Sequence, residues 1–179
     1  MGNFKEEIAK VEAFVFDVDG VFTDGGIIPL PDGDFIRKYN VRDGYAVAYA
    51  IKKGYKVCII TGGRGKALEM RFAALGVTRF HSACMEKAAV LRRFMDEFSL
   101  SREQVLFMGD DMPDIDVMPE VGIATCPADA VPEIVEAACY VSQFNGGCGC
   151  VRDVVEQVLR ARGDWRPDAG VVIGGVPSA

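Results

Sequence analysis

The chain has 179 residues, half of them hydrophobic, with 26 acidic against 20 basic side chains and a net charge of −6. That is one domain's worth of sequence with enough apolar material for a core, and the acidic balance argues against nucleic acid or an anionic membrane as partner. The longest apolar run, Ala46 to Ile51, is far too short to span a bilayer, and charges at Lys5, Glu6, Glu7, Lys10 and Glu12 break up any leader, so a cytoplasmic protein is expected.

Ala13-Phe14-Val15-Phe16 is an unbroken apolar run of strand length that ends in Asp17-Val18-Asp19-Gly20. Apolar runs from Gly25 to Leu30 and from Phe35 to Tyr39 flank Pro31-Asp32-Gly33-Asp34, which predicts a hairpin over 25–39. Asp43 is placed to cap a helix from Gly44 to Lys53, which Gly54 stops. A second buried strand, Lys56 to Ile60, ends in Thr61-Gly62-Gly63, and a helix through Leu68, Phe72 and Leu75 ends at Gly76. Thr78 to Ser82 reads as a short strand, Glu86 to Phe98 as an amphipathic helix, and Ser101 to Gln104 as a turn. The strand Val105 to Met108 then runs into Gly109-Asp110-Asp111. Val121 to Ala124 is a further strand, and Pro132 to Ala138 and Val151 to Arg162 are helices. Strands alternating with helices predict an α/β protein, Rossmann-like, with a mainly parallel sheet and helices on both faces. A single domain over residues 1–168 and a flexible glycine-containing tail over 169–179 are expected.

Six cysteines are an even number, but four lie among apolar or small residues, as buried free thiols do. Cys148-Gly149-Cys150 is too tight for a Cys-x-x-Cys metal clip, and His81 is the only histidine, so ordinary thiols are expected rather than a zinc site.

Ligands of a parallel α/β sheet bind beyond the carboxyl ends of its strands, where every polar cluster here falls. Asp17, Asp19, Asp110 and Asp111 would share that edge. Carboxylates near 4 Å apart repel by roughly 4 kcal/mol per pair at an effective dielectric near 20. The cluster therefore needs a cation or shifted pKa values, and an all-oxygen donor set with no His or Cys favours magnesium as the cation. Magnesium also brings in a phosphate that the net charge would otherwise repel. Asp17, Asp19, Asp110 and Asp111 are the candidate ligands, with Asp114 close behind them.

Phosphoryl transfer assigns the roles. Asp17 can attack phosphorus in line and form an aspartyl phosphate. Asp19, two residues on, can protonate the leaving oxygen and then activate the hydrolysing water. The Thr61 hydroxyl and the amides of Gly62 and Gly63 can bind the phosphoryl oxygens, and Lys87 can offset their charge. Taken singly, Asp17 and Asp19 could be turn residues and Lys87 a solvated helix residue; it is the ordered series that speaks for chemistry. Thr61-Gly62-Gly63-Arg64-Gly65-Lys66 is not a nucleotide P-loop, because Ile60 and Ala67 stand where Gly and Ser or Thr are required.

The series from Asp17-Val18-Asp19-Gly20-Val21 through Thr61-Gly62 and Lys87 to Gly109-Asp110-Asp111 resembles the haloacid dehalogenase superfamily of phosphatases over most of the chain. With Phe22-Thr23-Asp24-Gly25 and Asn40-Val41-Arg42-Asp43-Gly44 added, it is similar to the 3-deoxy-D-manno-octulosonate 8-phosphate phosphatases, which act in making the inner sugar of lipopolysaccharide. The resemblance implies that a small hairpin replaces any large cap domain. It also implies that hairpins of several copies pack in a homotetramer, with a neighbour closing each site. Asn40, Val41, Arg42, Asp43 and Gly44 would line the substrate pocket, Arg71 and Lys87 would be basic contacts, and the tail could reach a neighbour's active site. Two positions depart from the pattern: Gly63 stands where arginine is common, and Ala48 where a pocket arginine is expected. Sister enzymes acting on nonulosonate 9-phosphates differ around these positions, so an eight-carbon and a nine-carbon sugar acid phosphate both stay open. Receiver domains carry a similar residue set, but their acceptor Asp lies in mid-chain between the acidic pair and the Thr. Here the acceptor comes first, which is the order of a hydrolase.

Overall fold

In chain order the strands of the computed structural model, which describes residues 4–166, are β1 (Ala13–Phe16), β2 (Ile28–Pro29), β3 (Phe35–Ile36), β4 (Lys56–Ile60), β5 (Arg79–His81), β6 (Val105–Met108), β7 (Ile123–Cys126) and β8 (Tyr140–Val141). The helices are α1 (Phe4–Glu7), α2 (Val41–Lys52), α3 (Lys66–Ala74), α4 (Lys87–Glu97), α5 (Pro132–Ala137) and α6 (Cys150–Ala161). Six strands form one sheet in the order β5-β4-β1-β6-β7-β8, every neighbouring pair parallel. β2 and β3 make a separate antiparallel hairpin after the first strand.

A parallel strand covered on both faces needs apolar residues at every position, and all four residues of β1 and of β6 are fully buried. Successive side chains then divide between two cores. Phe14, Phe16, Val57, Ile59, Leu106 and Met108 face one, built with α2, α3 and α6. Ala13, Val15, Cys58, Ile60, Val105 and Phe107 face the other, built with α4 and α5. This is the α/β fold expected, with helices on both faces.

Three local expectations shift. The helix after the hairpin starts at Val41, not Gly44, and its cap is Asn40, whose extended backbone lets the side chain accept from the Arg42 amide. Asp43 already lies inside that helix, and its carboxylate reaches across to the start of α6 instead. β7 begins at Ile123 rather than Val121, because the Gly122 amide donates to the Arg102 carbonyl at 2.7 Å and holds that stretch on the preceding turn. The third is β8, too short and too exposed to read from sequence, which adds a sixth strand beside β7. The six cysteines are free thiols, with Cys139 and Cys148 exposed. Among the described residues no helix is long and apolar enough to cross a membrane. The expected tail over 169–179 lies outside the described residues.

Candidate active site

β1 lies between β4 and β6 in the sheet, so the residues that follow these three strands meet at one edge. The Asp17 amide donates to the Met108 carbonyl at 3.0 Å, which extends the ladder by one residue and aims the carboxylate out of the sheet end. Gly20 then turns the chain at φ +89°, and a Cβ there would sit 1.9 Å from Asp110 Oδ2. Only glycine allows the two loops to touch.

Lys87, at the first position of α4, is buried, and its Nζ lies 3.1 Å from Asp17 Oδ1 and 2.7 Å from Asp114 Oδ1. The other Asp114 oxygen accepts from the Asp110 amide at 3.1 Å. Asp17, Asp110 and Asp114 each offer an oxygen within 4.8 Å of the others. Burial, reinforced by the charge of Asp114, pushes the Asp17 carboxyl up to about 7. Burial, then the charges of Asp17, Asp114 and Asp111, pushes Asp110 up to about 8. Burial alone would lower Lys87, but Asp17 and Asp114 outweigh it and hold the ammonium above its ordinary value. One lysine faces three carboxylates, and Asp110 Oδ1 is buried with no hydrogen-bond partner. An unpaired buried carboxylate oxygen is costly unless a cation meets it. An all-oxygen set with a deficit of positive charge fits a magnesium ion.

A cavity of about 360 Å³ opens over these groups. Of the residues singled out from sequence, Asp17, Asp19, Thr61, Gly62, Lys87, Asp110 and Asp111 line it. Thr61 is buried and its hydroxyl accepts from the Gly63 amide at 3.0 Å, which closes the turn that faces the cavity. Asp19 points to another partner than the acidic cluster: the Arg37 guanidinium grips both its oxygens, at 2.7 and 3.0 Å. Asp111 is exposed, and its carboxylate accepts from the Met112 amide. The carboxylates close enough together to hold one cation are therefore Asp17, Asp110 and Asp114, and the side chains of Asp19 and Asp111 stand beside that group.

The segment from Asn40 to Gly44 does not line this cavity. The Asn40 side-chain Nδ2 donates to the Gly147 carbonyl at 3.3 Å, and Val41 is exposed. Arg42 lines a separate groove with Phe144, Cys148 and Arg152. Asp43 is buried, with Oδ1 accepting from the Arg152 amide at 2.7 Å. Arg71 lies over the Tyr39 ring at 5.6 Å, in space that the missing Gly44 side chain leaves open.

Residues 76–152 match the profile of the haloacid dehalogenase-like hydrolases. Over most of the chain, 3-deoxy-D-manno-octulosonate 8-phosphate phosphatase KdsC of Escherichia coli (strain K12) is 37% identical over 159 residues, covering 87% of this chain and 85% of that protein. The chain belongs to this phosphatase family. Among solved structures, the family's phosphatase from Yersinia pestis superimposes with a TM-score of 0.86 at 36% identity, covering 89% of this chain and 86% of that one. The phosphatase from Moraxella catarrhalis, crystallised with magnesium, phosphate and the sugar acid, superimposes with a TM-score of 0.85 at 25% identity, over 89% of this chain and 92% of that one. As a member of this phosphatase family the chain is a phosphoric monoester hydrolase.

Two parts of this phosphatase site are not evident in the sequence. Arg37 reaches Asp19 from the hairpin, 18 residues away, and no periodicity signals that contact. The segment Asn145 to Cys150 packs under the Asp17–Thr23 turn: the Gly147 amide donates to the Val21 carbonyl at 2.9 Å, and Cys150 Sγ lies 3.2 Å from the same oxygen. A Cβ on Gly146 would sit 1.9 Å from the Gly20 carbonyl oxygen. The doubled glycine at 146 and 147 is the signal that could have found it.

Proposed function

We propose that the chain is a magnesium-dependent phosphatase that hydrolyses 3-deoxy-D-manno-octulosonate 8-phosphate to the free sugar acid and phosphate, in the cytoplasm, as a step in making lipopolysaccharide precursors. The observation that carries this reading is the buried constellation of Asp17, Lys87, Asp114 and Asp110 at the carboxyl ends of β1 and β6, on a chain related along its length to phosphatases of that name.

Magnesium, when bound among Asp17, Asp110 and Asp114, supplies the positive charge that lets these carboxylates stay ionised together and draws in the phosphate. Asp17 attacks phosphorus with the oxygen not paired to Lys87, and the bond to the sugar oxygen breaks. Asp19 gives its proton to that leaving oxygen. It then takes one from water as the water attacks the aspartyl phosphate, returning Asp17 and releasing phosphate. The Thr61 hydroxyl, the amides of Gly62 and Gly63, and Lys87 hold the phosphoryl oxygens. Asn40, Val41, Arg42, Asp43, Gly44 and Arg71 do not reach this cavity within one chain. The part of Asn40, Val41, Arg42 and Arg71 in substrate binding belongs to an assembly in which a neighbouring copy closes the site, whereas Asp43 and Gly44 are buried and support the fold. The hairpin supports a homotetramer: Ile27, Ile28 and Ile36 expose large apolar side chains on it.

The test is magnesium-dependent phosphate release from octulosonate 8-phosphate and two nonulosonate 9-phosphates, measured side by side. Preference for the eight-carbon substrate is expected; preference for a nine-carbon one would assign Gly63 and Ala48 to a different sugar. Asp17→Asn should abolish turnover of all three, and a variant as fast as the parent would reject the covalent mechanism.

A further inference from the structure

Arg37 belongs to no motif, yet its side chain is only 4% exposed, beside the 29% exposed carboxylate of Asp19. Its Nε donates to Asp19 Oδ1 at 2.7 Å and one terminal nitrogen to Oδ2 at 3.0 Å. Such a two-pronged contact fixes a carboxylate in plane and direction, which a lysine ammonium cannot do. A surface ion pair would do little, but an enclosed guanidinium with both oxygens engaged is a rigid support.

The support is itself anchored. The other terminal nitrogen of Arg37 contacts the Arg64 carbonyl at 3.5 Å, and Asp34 Oδ2 on the same hairpin accepts from the Ala67 amide at 3.2 Å. α3 has no side-chain cap of its own at Gly65, so Asp34 serves its first turn from the hairpin. The hairpin is thus latched to the chain just beyond the Thr61–Gly63 turn. Gly63 makes the arrangement possible. A Cβ there would lie 2.9 Å from the Arg37 terminal nitrogen, 2.9 Å from Asp19 Oδ2 and 3.2 Å from Thr61 Oγ1. The same three distances place the Asp19 carboxylate directly over the turn that faces the cavity.

We propose that Arg37 is a positioning residue for the phosphatase reaction: it holds the Asp19 carboxylate over the Thr61–Gly63 turn, in space that Gly63 leaves free. This rests on the acid role given to Asp19 above: Arg37 must yield one of the two oxygens to the proton that Asp19 passes on, and it keeps the carboxyl in direction through the other. A sugar alkoxide must be protonated as it leaves, whereas a nitrophenolate leaves without a proton. Misplacing Asp19 therefore slows the first step for an alkyl phosphate far more than for an aryl phosphate.

The experiment compares kcat/KM for octulosonate 8-phosphate and for nitrophenyl phosphate with magnesium present, in Arg37→Ala, Arg37→Lys, Gly63→Ala, the Arg37→Ala/Gly63→Ala pair and Asp19→Asn. Asp19→Asn should lose the alkyl substrate selectively. Arg37→Ala should do likewise, with a selective loss on the order of 10- to 100-fold. Arg37→Lys should recover only part, and free guanidinium should restore activity to Arg37→Ala. Gly63→Ala should reproduce the pattern, adding little in the double variant, because both changes break one clamp. It also reads the same quantity should Arg37→Ala not fold. Equal losses on both substrates in Arg37→Ala and Gly63→Ala, beside a selective loss in Asp19→Asn, would overturn the positioning role alone. Equal losses in Asp19→Asn would remove the acid role of Asp19, and the proposal with it.

Discussion

Asp43 allows a direct test of how the two halves of the fold are joined. It is fully buried on α2, with Oδ1 accepting from the Arg152 amide at 2.7 Å and Oδ2 without a partner. Burial lifts its carboxyl from an ordinary 3.8 to about 6, against the opposing pull of the Arg152 and Gly149 amides. A folded pKa above the unfolded one means that the native state binds the proton more tightly. The stability from this group is therefore fully present below the unfolded pKa and is lost as pH rises through the folded one. A shift of about two units is worth roughly 3 kcal/mol between the limits, of which about 1.4 kcal/mol falls between about pH 5 and about pH 7.5. Asp43→Asn keeps an oxygen for the Arg152 amide and carries no charge at any pH. Relative to the parent, the variant should gain about 1.4 kcal/mol across that interval. Urea unfolding at both pH values measures it, followed by the fluorescence of Trp165, the single tryptophan, which lies 4.4 Å under the Arg152 guanidinium. Other titrating groups are common to both proteins and cancel in the difference. A parent-to-variant difference that is the same at the two pH values would refute the reasoning.

Two further outcomes follow from the site. Asp114→Asn leaves Lys87 and the Asp110 amide without their shared carboxylate, so magnesium affinity should fall about 10- to 100-fold; a titration of activity with magnesium checks this, and an unchanged midpoint would remove Asp114 from the cation site. Gly146→Ala puts a methyl 1.9 Å from the Gly20 carbonyl oxygen and 2.8 Å from that of Thr23. Backbone cannot yield as a side chain would, so it should cost about 1–3 kcal/mol in unfolding free energy and lower kcat, whereas parent-like values of both would show that the loops are not in firm contact.

The parts of the site that sequence makes legible are those set by local pattern. Apolar runs that stop abruptly at Asp17, Thr61 and Asp110 could only be buried parallel strands, and the parallel order of β4, β1 and β6 then carries their ends to one edge. Asp17, Thr61, Lys87 and Asp110 meet there as the spacing suggested. What pattern does not show is which side chains pair across long separations. Asp43 has the spacing of a helix cap, yet it is buried against an amide 109 residues on. Asp19 has the spacing of a metal ligand, yet a hairpin arginine takes both its oxygens. Asp114 reads from sequence as a partner close behind the ligands, and that it joins the cluster itself, buried between Lys87 and Asp110, depends on three strands being in place.

The glycine segment under the catalytic turn carries a consequence for how the enzyme matures. A chain leaves the ribosome N-terminus first, but a domain folds as a unit. The Asp17–Thr23 turn emerges early, whereas the Gly147 amide that braces Val21, and the Arg152 amide that Asp43 awaits, come near the end. Because α6 also covers one face of the sheet, the turn gains its floor only when the whole domain closes.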